Sequence, residues 1–333
     1  MTKAIVPDNL YSKIAGLLQA ARQNVVRAVN QTMVLTYFEI GRMIVEEEQQ
    51  GKERAEYGKQ VLKELSRRLT IDFGKGFSVD NLQNMRQFFL IYSNYETTSR
   101  KFILSWSHYL KLMRIENPDE RSFYEIECTA NNWSLKELQR QFDSALFERL
   151  ALSRDKEGVK QLAEKGQIIE KPADLLKDPY ILEFLDLPEP HQFSESNLEQ
   201  ALIDKLQNFL LELGKGFTFV GRQVRFTFDE KHFKVDLVFF NRLLRCFVLI
   251  DLKLGELTHQ DLGQIQMYVH YYDRFVRLPD ENKTIGIILC KDKNDTVVEI
   301  TLPEDNNSIF ASRYQTILPD KQAFIQLFNQ EEG

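Results

Sequence analysis

Near residue 196 the spacing of apolar residues changes from helical to strand-like, so this 333-residue chain cannot be built from one class of secondary structure. Upstream, apolar side chains recur every three to four positions, the period of a helix with one buried face. That spacing predicts helices over 9–29 and 31–50, with Leu35, Phe38, Ile40 and Ile44 among the apolar positions at helical spacing, and over 57–69 through Val61, Leu62, Leu65 and Leu69. After the break Phe73-Gly74-Lys75-Gly76-Phe77, Ser78 is placed to cap a helix over 79–92 that buries Leu82, Met85, Phe89 and Tyr92. A short helix holds Trp106 and Tyr109, and Ser134-Leu135-Lys136-Glu137 is a capping box opening a helix to about Leu150. Downstream, a helix over 196–213 stops at Gly214. Strands follow over 217–228, 233–240 and 245–253, then a helix over 258–273, strands over 284–291 and 296–302, and a closing helix over 319–328. This order predicts an α/β (α+β) chain in which helices flank a mixed sheet.

Length favours two domains. The stretch 172–199 carries seven Asp/Glu against one Lys, with prolines at 172, 179, 188 and 190. It is predicted to connect a helical domain, 1–170, to a second domain, 191–333, across 171–190. No apolar run approaches the roughly 20 residues that span a bilayer, so no membrane partner is expected. The segment Met1-Thr2-Lys3-Ala4-Ile5-Val6-Pro7-Asp8 lacks the apolar core of a secretion signal. Cys128, Cys246 and Cys290 form neither a metal spacing nor a disulfide framework, which fits a reducing cytoplasm. The histidines at 108, 191, 232, 259 and 270 show no ligand spacing either.

The net charge of −6 does not mark a polyanion-binding protein, but its distribution is uneven. Residues 59–114 hold ten Lys/Arg against four acids, a net +6 that leaves −12 for the rest. Within that segment two helices join across a short glycine turn, and the second leaves Asn81, Gln83, Asn84, Arg86 and Gln87 outside. A helix-turn-helix presents such side chains to a DNA groove; a helical hairpin with a solvated polar face gives the same pattern. The candidate nucleic-acid contacts are Arg67, Arg68, Lys75, Asn84, Arg86 and Gln87.

Chemistry concentrates in the second half. Asp236 lies inside Phe233-Lys234-Val235-Asp236-Leu237-Val238, and Asp251 and Lys253 end the apolar run Phe247-Val248-Leu249-Ile250-Asp251-Leu252-Lys253. Alternation puts Asp251 and Lys253 on one face of their strand, and a tight turn sets the two strands side by side. Charges inside apolar strands are costly unless paired or bound to metal. Two carboxylates a few ångströms apart offer oxygen ligands to a hard divalent cation, and the neighbouring ammonium can offset charge on a phosphate. A buried Asp–Lys ion pair is the bland alternative.

These residues resemble the PD-(D/E)xK nuclease superfamily: Val235-Asp236 stands for Pro-Asp, and Asp251-Leu252-Lys253 supplies the second acid, spacer and lysine. Gln264-Ile265-Gln266-Met267-Tyr268 fits the superfamily's QxxxY helix, with Gln264 and Tyr268 on one helical face. Glu199 matches the acid that often completes the site, although Ser196-Asn197-Leu198-Glu199 also reads as a capping box. The chain is further similar to the YhcG-type PDDEXK nuclease family. Phe209-Leu210-Leu211-Glu212-Leu213-Gly214-Lys215-Gly216-Phe217, Gly221-Arg222-Gln223, Tyr37-Phe38-Glu39-Ile40-Gly41 and Gly74-Lys75-Gly76-Phe77-Ser78 carry that likeness. The resemblance implies a helical, winged-helix-like N-terminal domain and a restriction-endonuclease-like nuclease domain. It further implies a DNA endonuclease of restriction, repair or recombination using Mg2+, or Mn2+ in its place, held by Asp236 and Asp251. Glu199, Lys253, Gln264 and Tyr268 would complete the catalytic set, with Gln223 and Lys234 as secondary contacts. Asp251 departs from the Glu of many relatives by one methylene. A homodimer is compatible with cutting both strands, and no small-molecule cofactor is expected. A catalytically inactive DNA-binding or defence-associated protein on the same fold is the alternative.

Overall fold

Apolar residues at helical spacing over the first fifty positions form one helix rather than the two expected: α1 runs unbroken from Asp8 to Gln50, with neither Gly nor Pro near residue 30 to stop it. The computed structural model describes residues 8–50, 55–93, 102–151, 156–187 and 194–322. They fall into two compact units, Met1–Gln139 and Arg140–Gly333.

In the first unit, α2 (Ala55–Phe73) and α3 (Val79–Tyr92) meet across the predicted glycine break. Gly74 and Gly76 there adopt φ of +83° and +125°, backbone that side chains disfavour. The Ser78 hydroxyl accepts from the Asn81 N–H, the predicted cap. α3 lies against α1 at Gly41, where a Cβ would stand 2.0 Å from the Met85 carbonyl oxygen. Ile44, Leu62, Leu82 and Met85 form one apolar cluster. Phe88 forms another with Phe38, Phe102 and Tyr109, its ring centre 5.0–5.9 Å from theirs. Phe88, not Phe89, is the fully buried position on α3. Next come α4 (Trp106–Leu112), α5 (Pro118–Asn131), capped by Asn117, and α6 (Leu135–Asp143). The described residues of this unit include no strand, so the wing of a winged helix has no counterpart among them.

The helix expected to reach Leu150 breaks at Ala145, whose φ is +52°, and resumes as α7 (Leu146–Ala151). After α8 (Lys156–Lys165) the acidic segment does not behave as a free connection. It contributes β1 (Tyr180–Ile181), flanked by 3-10 turns, and β1 pairs with the last strand of the sheet. Its prolines interrupt helix but leave room for an edge strand. The helix expected over 196–213 is two: α9 (Glu195–Asp204) and α10 (Leu206–Leu213), separated at Lys205.

Three strands follow as an antiparallel meander, β2 (Phe217–Phe228), β3 (Lys231–Asn241) and β4 (Cys246–Glu256). α11 (His259–Phe275) carries the chain over to β5 (Ile285–Asp292), parallel to β4. The expected strand over 296–302 is instead helix α12 (Asp295–Thr301), because the Asn294 side chain accepts from Val297 N–H and caps it. The sixth strand is β6 (Ile309–Gln315). The closing helix expected over 319–328 lies mostly outside the described residues. The sheet order is β1-β6-β5-β4-β3-β2. One face packs Leu198, Leu202, Phe209 and Leu213 on Leu237, Phe239, Ile250 and Ile287. The other packs Leu262, Ile265 and Val269 on Val238, Leu249 and Ile288. Covering both faces is why β4 and β5 read as continuous apolar runs.

A buried ion cluster ties β1 to the rest. Glu212 accepts from Arg149 at 2.7 Å and from Arg140 at 3.2 Å, and its Oε1 also takes the Ile181 N–H. Lys177 Nζ donates to the Glu212 carbonyl. Burial alone would raise the Glu212 carboxyl, but Arg149, Lys177 and Arg140 overcome it and hold it at about 2.

Candidate active site

The β3–β4 ladder ends at the Leu237–Ile250 pair, and the next residues on each strand are Asp236 and Asp251. The strands part there, while β4 continues along β5 through Lys253. Where a further β3 carbonyl would take the Leu252 N–H, Asp236 Oδ2 takes it instead, at 2.9 Å. The fork between two strands therefore places both acids at one point, with Lys253 two residues on along β4.

Asp251 is 1% exposed. Its carboxyl is pushed up to about 7 by burial first and by Asp236 second, against the pull of Lys253. Lys253 Nζ lies 3.1 Å from Asp251 Oδ2 and 3.5 Å from Asp261 Oδ1. The first contact is an ion pair, and beyond it Oδ2 is buried with no well-aligned hydrogen-bond donor among the described residues. Burial opposes the charge on Lys253, but Asp251, Glu195 and Asp261 outweigh it, and the ammonium is held more firmly than usual.

A third carboxylate approaches from α9. Glu199 is buried, and the capping role is taken by Ser194 with Asn197, leaving Glu199 a turn deeper and aimed at the site. The Gln223 amide donates to Glu199 and, at 3.0 Å, to Asp236 Oδ1. Burial raises the Glu199 carboxyl, the Gln223 bond opposes, and Asp236 adds to the rise. Gln223 reaches both acids from a left-handed backbone, φ +48°, just past a bulge in β2, a conformation that costs energy in a non-glycine residue. From α11, the Gln264 amide donates to the Tyr268 hydroxyl. Burial chiefly raises the Tyr268 phenol, and Asp251 and Asp236 contribute, which sets it within their field.

Asp236, Asp251, Lys253, Glu199, Gln264 and Tyr268 thus share one neighbourhood; Lys234 is exposed on β3. Sequence reasoning missed Asp261 and Glu195. Asp261 was legible in principle, because Thr258-His259-Gln260-Asp261 is a capping box whose acid points back past the end of β4.

Among the described residues no three His, Cys, Asp or Glu side chains form a metal cage by themselves. Two carboxylates suffice for Mg2+, which keeps waters and substrate phosphate oxygens in its other positions. Asp251 Oδ2, buried beside Asp236 with the Lys253 ammonium as its charge partner, fits that demand, and side-chain nitrogen or sulfur ligands are not required.

In the first unit the candidate DNA contacts are partly neutralised. Arg67 and Arg68 stand side by side on α2, both bridged to Glu64. Arg86 pairs with Glu48 of α1 at 2.6 Å. Lys75 is exposed in the glycine turn, and Asn84 and Gln87 lie on α3, half-buried and exposed respectively. Asn81 is a structural lock, accepting from Trp106 Nε1 and donating to the Gly76 carbonyl.

Residues 173–328 match the family described as the YhcG PDDEXK nuclease domain, and residues 13–149 match the DUF1016 N-terminal domain. The Escherichia coli (strain K12) protein named "Putative nuclease YhcG" is 38% identical over 345 residues, covering 95% of this chain and 92% of that protein. Two solved structures align with part of the chain at 14% identity. A repair endonuclease from Pyrococcus abyssi has a TM-score of 0.28 over 38% of this chain and 50% of its own. A complex titled EndoMS-dsDNA2 has 0.26 over 36% and 45%.

Proposed function

The chain belongs to the YhcG PDDEXK nuclease family, and from that premise we propose that it is a Mg2+-dependent endonuclease that hydrolyses DNA phosphodiester bonds at the β3–β4 fork. The observation that carries the reading is the convergence of Asp236, Asp251 and Lys253 there, with Asp251 Oδ2 buried against the Lys253 ammonium. Asp236 and Asp251 would hold the ion, and Glu199 supplies a further acid within reach of Asp236 through Gln223. A divalent ion so held neutralises charge on the scissile phosphate and acidifies a bound water. Lys253, kept cationic by three carboxylates, donates to the attacking water or to a phosphate oxygen rather than abstracting a proton. Gln264 and Tyr268 hold each other in place on the α11 face next to the acids and are suited to a non-bridging phosphate oxygen.

The helical unit would grip the duplex through Arg67, Arg68, Lys75, Asn84, Arg86 and Gln87. The arginines must exchange Glu64 and Glu48 for phosphates, an exchange that salt would weaken steeply.

The test is nicking of supercoiled plasmid by the full chain with Mg2+ or Mn2+, set against EDTA and against Asp251→Asn. Metal-dependent nicking lost in the variant is expected. Wild-type protein that cuts nothing under any divalent ion, or a variant that cuts as well, would defeat the proposal.

A further inference from the structure

Asp236 is held by a donor on each of its oxygens. Oδ2 takes the Leu252 N–H at 2.9 Å, and Oδ1 takes the Gln223 amide at 3.0 Å. The same Gln223 nitrogen donates to Glu199. A primary amide nitrogen carries two hydrogens, so it can serve both carboxylates at once. The backbone is shaped for this. β2 pairs with β3 on either side, Arg222 opposite Leu237 and Val224 opposite Val235, and Gln223 stands between them, across from Asp236, with φ at +48°. Glycine would suit that backbone better but would reach neither acid. The adjacent Arg222 donates to Gln200 at 2.6 Å, so two consecutive residues of β2 clasp two consecutive residues of α9.

Resting on the nuclease reading above, we propose that Gln223 is the positioning residue of the metal site: its amide keeps Glu199 and Asp236 converged and aims Asp236 for a divalent cation. Two carboxylates brought this close repel when both are ionised, and without a donor between them they would turn apart. A lysine or arginine could hold them equally well, but its charge would cancel the field that draws in a cation. A neutral amide supplies the hydrogen bonds and leaves the negative charge in place. Each carboxylate oxygen keeps a second lone pair after accepting such a bond, so Asp236 stays available as a ligand. Gln223 itself touches neither ion nor phosphate in this arrangement and acts through the two acids.

The experiment titrates Mn2+ into metal-free, full-length protein without DNA and follows the heat of binding. Wild-type protein should bind the ion, and Gln223→Ala should bind it about 10- to 100-fold more weakly. Gln223→Gly, which relaxes the left-handed backbone, should show the same loss, so a misfolded alanine protein cannot decide the outcome. Gln223→Lys can still hold both acids: in EDTA it should melt no lower than the alanine protein, yet bind Mn2+ no better than it. At saturating Mn2+ the alanine protein should nick plasmid with a lower kcat and an unchanged KM. A raised KM with unchanged kcat would put the amide on DNA and overturn the inference. So would wild-type Mn2+ affinity in Gln223→Lys, which would make the residue only a tether between α9 and β2. Wild-type protein that binds Mn2+ no better than the alanine and glycine proteins do defeats the role of Gln223 alone; wild-type protein that binds no Mn2+ at all defeats the nuclease reading and this role with it.

Discussion

Burial sets the Asp251 carboxyl near 7 before any ion arrives, so that side chain takes on its charge only when something offsets it. Between its ordinary value of 3.8 and about 7, the folded chain keeps a proton that the unfolded chain has released. Stability therefore falls as pH rises through that window, and the penalty is complete above it. Asp251→Asn should then raise the melting temperature of metal-free protein at pH 8 by several degrees while abolishing cleavage; calorimetry in EDTA checks it, and a lower melting point counts against buried charge at this position. The same protonation predicts that Mg2+ affinity rises with pH up to about 7 and levels off above it, with proton release per ion falling from about one below that pH to none well above it, measurable by titration calorimetry in buffers of different ionisation enthalpy. Lys253→Met removes the partner of an almost fully buried carboxylate and should cut the rate by about 100-fold or more while plasmid binding persists. Asp236, Asp251 and Lys253 were legible in the sequence because charge inside an apolar strand requires a reason. Glu199 was legible only in part, since the sequence offered it both as a site acid and, with Ser196, as half of a capping box, and only the folded helix start, capped by Ser194 with Asn197, chooses between them.

At the scale of elements, local signals and packing competed, and the outcome depended on which was stronger. The Asn294 cap won over the β-branched run of 296–302 and made a helix where alternation suggested a strand. β1 is two residues long, too short to announce itself before the sheet exists to receive it, and β6, although Pro303-Glu304-Asp305-Asn306-Asn307-Ser308 marks a turn before it, is passed over when 296–302 is read as the last strand. The meander, α11 and β5 were legible because turns and periods there agreed with the final packing. The contact of α1 with α3 depends on Gly41, whose missing side chain lets the Met85 carbonyl approach. Gly41→Ala improves helix propensity yet must push two helices apart; it should destabilise the helical unit by about 1–3 kcal/mol, seen as a lower denaturation midpoint in the wild-type and variant chains compared directly.

On the scale of the whole molecule, the boundary drawn from composition near 171–190 differs from the one drawn by packing, which falls at Gln139/Arg140. The acidic, proline-bearing segment looked like a connection because composition is blind to a two-residue edge strand and to arginines waiting upstream. A fragment covering 191–333 would lack β1, Arg149, Arg140 and Lys177, and would leave Glu212 buried and unpaired. Removing one side of a buried ion pair costs about 3–5 kcal/mol. That fragment should be insoluble or partly unfolded by circular dichroism, whereas 140–333 should fold; two equally well-folded fragments would refute the role given to the cluster. Because Arg149 falls inside the first matched family region and Glu212 inside the second, the two regions are not independent cassettes. A hybrid that grafts the N-terminal stretch of one relative onto the nuclease of another inherits a guanidinium from one parent and its carboxylate from the other. Crossovers placed before Arg140 keep that partnership within a single lineage.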